Sequence, residues 1–158
     1  FALLVAGEGL PLQASIVRSD RFFEAGGFDP SPESLGTEDR DLGRRLALRG
    51  AVSYVPAVVA QVRVGEHGST TRWATLANND RWGREKALND PAAFCRLRSS
   101  SISSYWRGRV CRALFGSSLW NLERKNLLRA TSRIGLGLIL GARSIFSADF
   151  WRGIRSIR

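Results

Sequence analysis

GGFDPSPESLGTEDRDLGRRLALRG, residues 26–50, is the stretch on which the reading of this chain turns. Its second half has the pattern of a helix. Thr37 stands where an N-cap belongs, with a side-chain oxygen able to accept from a free backbone N–H of the first turn. Leu42 and Leu46 follow as an i, i+4 apolar pair, and Gly50 ends the run at the position of a C′ glycine. Glu38 and Asp39 occupy the first turn. Asp39 is three residues before Leu42 and Glu38 is four before it, which puts both acids near the packed face. An acid at the edge of a core is costly unless it has a partner or a task. The helix dipole stabilises negative charge at this end. That suits a general base, and it equally suits plain capping, because first turns favour Asp and Glu for the dipole alone.

Outward from this helix, the pattern predicts a strand near Leu12–Val17, a short helix near Asp20–Ala25 and a Pro/Ser-rich loop over Pro30–Gly36. Downstream, Val52–Val55 and Val58–Val64 read as two β runs broken at Pro56. A Gly65-Glu66-His67-Gly68-Ser69-Thr70 loop follows. Residues 71–98 read as helical, with Trp73, Leu76, Trp82 and Leu88, ending near Asn89-Asp90-Pro91. A serine-rich joint, Ser99–Ser104, divides residues 1–98 from a basic helical tail, 99–158. There is no internal repeat.

Arg18, Phe22 or Phe23, Gly26-Gly27-Phe28-Asp29, then Glu38-Asp39-Arg40-Asp41-Leu42 and Arg45 together resemble the acceptor half of family 2 glycosyltransferases. The resemblance covers about residues 12–70. It implies an α/β fold, the C-terminal part of a GT-A-type nucleotide-sugar transferase domain. It also implies transfer of a sugar from a nucleotide-sugar donor to a glycan or lipid-linked acceptor, with inversion, as in polysaccharide and cell-wall biosynthesis. Such a displacement needs a base opposite the leaving nucleotide. By the resemblance, Asp39 is that base and Glu38 orients it or hydrogen-bonds the acceptor. Gly26, Gly27, Phe28 and Asp29 line the acceptor. The leaving diphosphate calls for Mg²⁺ or Mn²⁺ as a Lewis acid.

Asp39-Arg40-Asp41 spells the D-x-D of metal sites in this class, but residues i and i+2 of a helix point apart and cannot chelate one ion. The family's D-x-D lies at a strand end in the nucleotide half. The chain opens at Phe1 inside an apolar run with no βαβ unit before GGFD, so it reads as an excerpt whose donor half is missing. His67, the one histidine, reads on its own as a solvated loop residue. By the resemblance it stands where a His-x-x-Ser-like element joins the metal or meets the donor diphosphate. The Gly68, Ser69 and Thr70 amides are able to face a phosphate there.

The formal charge is +10 and is unevenly placed. Residues 1–98 hold 13 Arg/Lys against 12 Asp/Glu, and residues 99–158 hold 11 against 2. In the tail, Tyr105-Trp106, Trp120 and Phe150-Trp151 alternate with arginines, a composition that suits an anionic membrane surface. Nucleic acid is not the expected partner. Ile134–Ala142 is far short of the ~20 apolar residues that span a bilayer. Its G-x-x-x-G match lacks a spanning context. The expected location is cytoplasmic, peripheral at the inner face of the plasma membrane. Cys95 and Cys111 form no disulfide framework or zinc spacing. Two alternatives to the inverting enzyme remain: a noncatalytic basic module that docks on membrane or nucleic acid, and a retaining transferase of GT-A fold. The first has no use for Glu38 and Asp39.

Overall fold

The computed structural model describes residues 1–61, 73–146, 150 and 151. Among the described residues every regular element is helical. The α-helices are α1 (Ala2–Val5), α2 (Ser19–Glu24), α3 (Glu38–Arg49), α4 (Trp73–Leu88), α5 (Ala92–Arg98), α6 (Ser104–Glu123) and α7 (Leu127–Gly141). Short 3-10 turns lie at Leu12–Ala14, Pro32–Ser34 and Ala142–Phe146.

This overturns the α/β GT-A expectation. Leu12–Val17 is no strand: Ala14 N–H bonds Pro11 O and Ser15 N–H bonds Leu12 O, which closes a 3-10 turn. Val52–Val55 and the described part of the Val58–Val64 run carry no ladder. Val62–Val64 lie outside the described residues. The physical reason is visible in the burial. Ile16, Val52, Tyr54, Val55, Val58 and Val59 are all exposed. β-propensity expresses how well a side chain fits a half-buried pleated surface. Without a neighbouring strand there is no such surface, and the segment stays irregular.

The chain forms two compact units, Gly9–Ala93 and Phe1–Glu8 with Phe94–Arg158. In the first, α3 packs on α4. Leu42, Ala47 and Leu48 are buried on α3, and Ala87 and Leu88 on α4. Leu46 is only half-buried. Both ends of α3 differ from expectation. The Thr37 hydroxyl makes no cap bond to the helix; it donates instead to Ser34 O at 3.1 Å. Gly50 is extended (φ −152°) rather than left-handed, and its N–H closes on Leu46 O.

In the second unit α6 and α7 form an antiparallel hairpin. Val110, Cys111, Ala113 and Leu114 of α6 are buried, as are Ala130 and Leu136 of α7. The helices meet closely at Gly137, where a Cβ would stand 3.0 Å from the Phe115 ring. Gly137, the first glycine of the G-x-x-x-G match, is therefore a helix contact, while Gly135, outside that match, faces open space. Burial pushes the Cys111 thiol up to about 11, so it is an inert packing group, and Cys95 is free and exposed. Among the described residues no helix is long and apolar enough to cross a membrane.

Candidate active site at the start of helix α3

The two halves of the 26–50 motif are joined by one side chain. Arg45 of α3 reaches back to the glycine turn, and its Nη1 donates to Ala25 O and to Gly27 O. Gly26 and Gly27 both have positive φ, +83° and +65°, which a Cβ would strain. That turn exposes the two carbonyls to the guanidinium. The far side of Arg45 is held by Asp41, one helical turn earlier: Nε lies 2.9 Å and Nη2 2.5 Å from Asp41 Oδ2. Asp41 is fully buried and Arg45 nearly so. Half of the acidic–basic signature of α3 is thus spent on building the turn.

The intervening loop is pinned rather than loose. Asp29 accepts from Ser31 N–H at 2.9 Å and pairs with Lys86 of α4. The Lys86 ammonium and the Ser31 N–H pull the Asp29 carboxyl down to about 2. The Ser34 hydroxyl is within bonding distance of Asp29 O and Ser31 O, and Asn79 Nδ2 donates to Leu35 O. Phe28 is exposed and meets Phe22 edge-to-face at 5.6 Å. Phe22 meets Phe23 in the same way at 5.5 Å.

A second ion cluster joins α3 to α4. Asp80 lies 2.7 Å from Arg44 Nη2, 2.8 Å from Arg84 Nη2 and 3.6 Å from Arg40 Nη1. Burial works to raise the Asp80 carboxyl, but the arginines at its oxygens outweigh burial and the group lies below its ordinary value. Arg44 is one of the largest fully buried side chains in the protein. Sequence reasoning missed this cluster. The spacing Arg40, Arg44 on one helix gives no hint of an acid on another.

With Asp29 and Asp41 committed to cations and Glu33 exposed in the loop, the motif leaves Glu38 and Asp39. Both are half-buried. Asp39 Oδ1 accepts from Arg40 N–H at 2.7 Å. Glu38 Oε2 is shielded from solvent and has no hydrogen-bond partner among the described residues. A buried carboxylate oxygen without a donor is costly, and an incoming hydroxyl is the kind of group that satisfies it. Asp39 and Asp41 diverge, Asp41 into the core and Asp39 toward the half-open edge, so they form no joint chelate. No cluster of three or more His, Cys, Asp or Glu suited to a metal ion occurs among the described residues. The ligands expected for the divalent cation, a D-x-D in the nucleotide half and His67, are not among the described residues. His67 and the loop around it, the expected diphosphate element, lie outside the described residues.

Of the expected acceptor residues, Gly26 and Gly27 form the clamped turn, Phe28 stands beside it and Asp29 is held by Lys86. No family model matches this chain, and neither does any curated protein or solved structure.

Proposed function

We propose that Glu38 and Asp39 form the acceptor side of an inverting sugar transfer from a nucleotide-activated donor. The helical fold lends this reading nothing; it rests on the residues. The observation that carries it is the solvent-shielded Glu38 Oε2, without a hydrogen-bond partner among the described residues, beside Asp39 at the half-open start of α3, while Asp29 and Asp41 are each paired with a cation. In this reading Glu38 accepts a hydrogen bond from the acceptor and fixes its orientation. Asp39 takes the proton of the attacking hydroxyl. The acceptor oxygen bonds to the anomeric carbon as the bond from that carbon to the nucleotide oxygen breaks, and the electron pair leaves with the diphosphate. The acceptor is a glycan or lipid-linked saccharide, met at the inner face of the plasma membrane.

The test is steady-state transfer by the full-length protein across nucleotide-sugar donors, with release of nucleoside diphosphate as the readout. Asp39→Asn keeps the shape and removes the base. It is expected to lower kcat by ~10²-fold or more with donor affinity unchanged, because the base acts in the transition state alone. Glu38→Gln is expected to raise the acceptor KM. Asp39→Asn with near wild-type kcat sinks the assignment.

A further inference from the structure

We infer that the tip of the α6–α7 hairpin and the outer face of α7 form a membrane-docking surface for an anionic lipid bilayer. The tip spans residues 122–128, with Leu122, Glu123, Arg124, Lys125, Leu127 and Leu128 exposed. Its turn is closed by Lys125 N–H on Leu122 O and Asn126 N–H on Asn121 O, both 2.9 Å. Lys125 takes the left-handed conformation there, φ 58°. Asn126 then caps α7 by accepting from Arg129 N–H. This firm turn holds two leucines out in solvent: Leu127 is 65% exposed and Leu128 85%.

Farther along the same side of α7, past Thr131, Ser132 and Gly135, a second apolar group is exposed. Leu128 and Ile139 are about three helical turns apart and share a face. Ile139 is 66% exposed, and Phe146, just beyond the helix, is 90% exposed. The opposite face, with Ala130 and Gly137, is the one packed on α6. Isolated exposed apolar residues need no explanation, but adjacent leucines held in solvent by a closed turn mark an interaction surface.

Charge selects the occupant. Residues 122–146 expose Arg124, Lys125, Arg129 and Arg143 against one acid, Glu123. A second copy of this chain would bring the same cations against them and be repelled. An anionic bilayer offers phosphates to the basic rim and acyl chains to the leucines. The half-buried tryptophans are engaged within the protein: Trp106 lies edge-to-face on Tyr105 and under Arg109, and Trp120 lies under Arg124 at 3.3 Å. Insertion therefore falls to Leu127, Leu128, Ile139 and Phe146. Among the described residues no helix is long and apolar enough to cross a bilayer.

The experiment is cosedimentation of the full chain with phosphatidylcholine vesicles, with and without phosphatidylglycerol, at low and high salt. Wild type is expected to bind the anionic vesicles, with a salt-sensitive and a salt-resistant share. Leu127→Ser with Leu128→Ser is expected to lower affinity by roughly tenfold or more and to remove the salt-resistant share. Ile139→Asp, farther along α7, is expected to weaken binding in the same direction. Arg124→Gln with Lys125→Gln and Arg129→Gln is expected to remove the salt-sensitive share. All these side chains are on the surface, and Ile16→Ser, an exposed apolar site outside the hairpin, is expected to bind as wild type does. The proposal is overturned if wild type ignores anionic vesicles at low salt. It is equally overturned if the double leucine variant binds like wild type, or if the leucines instead hold a dimer in solution.

Discussion

At the scale of single residues, the carboxylates of the Gly9–Ala93 unit divide by what stands next to them. Asp29, Asp41 and Asp80 each face a cation, whereas Glu38 and Asp39 have no ion pair among the described residues. Asp29 offers a direct test, because its folded value is about 2 against an ordinary 3.8. A carboxyl depressed by folding contributes stability above its unfolded value, and that contribution is lost as pH falls through the folded one. The stability that Asp29 draws from Lys86 is therefore expected to be complete above pH 3.8 and to disappear as the pH falls toward 2. Asp29→Asn keeps the oxygen that accepts from Ser31 N–H and removes the charge. Its urea midpoint should lie below that of wild type near neutrality, and the gap should close on acidification. A gap that stays constant down to pH 2 would show that the charge on Asp29 has no part in stability.

At the scale of elements, α3 is held to α4 by the Asp80 cluster and to the glycine turn by Arg45. Asp80→Asn leaves Arg44 buried with its carboxylate gone. Breaking one side of a buried pair costs about 3–5 kcal/mol, because the orphaned charge remains desolvated. The expected result is a drop of that order in urea unfolding, with the slope unchanged. A loss below ~1 kcal/mol would mean that the other groups around Arg44 compensate it in place of Asp80. The elements also mark what was legible in the sequence. The periodic leucines and Gly/Pro punctuation located α3, and the apolar spacing and Asn89-Asp90-Pro91 located the end of α4, within a few residues. The valine runs misled, because strand propensity is redeemed only by a partner strand. Ile16, Val58 and Val59 have none among the described residues. The resemblance carried this error to the whole fold. In the candidate site, the helix periodicity put Glu38 and Asp39 near the packed face. It gave no sign that Arg45 bonds carbonyls in the glycine turn or that Lys86 holds Asp29. Both are contacts across 18 to 57 residues, made by side chains whose local pattern is that of surface charge.

At the scale of the whole molecule, the charge follows the two units more sharply than it follows the sequence halves. Gly9–Ala93 holds 11 basic and 11 acidic residues and is neutral. Phe1–Glu8 with Phe94–Arg158 holds 13 and 3, so the entire +10 resides there. The buried pairs lie in the neutral unit, where salt screens them little. In the cationic unit Arg107, Arg124, Lys125 and Arg129 are exposed, and Arg109 has Glu8 at 3.6 Å. Crowded surface charge of one sign opposes the compact state through self-repulsion. Raising ionic strength shortens the Debye length from ~30 Å at 0.01 M to ~8 Å at 0.15 M. That relieves the repulsion while leaving the buried pairs nearly intact. Added sodium chloride is therefore expected to raise the melting temperature, by about 2–4 °C for each ~1 kcal/mol of repulsion relieved. Calorimetry across that salt range measures the shift. A melting temperature that falls instead would mean that exposed pairs such as Arg109–Glu8 outweigh the repulsion. The basic hairpin would then owe its stability to its own ion pairs, and not hold despite its charge.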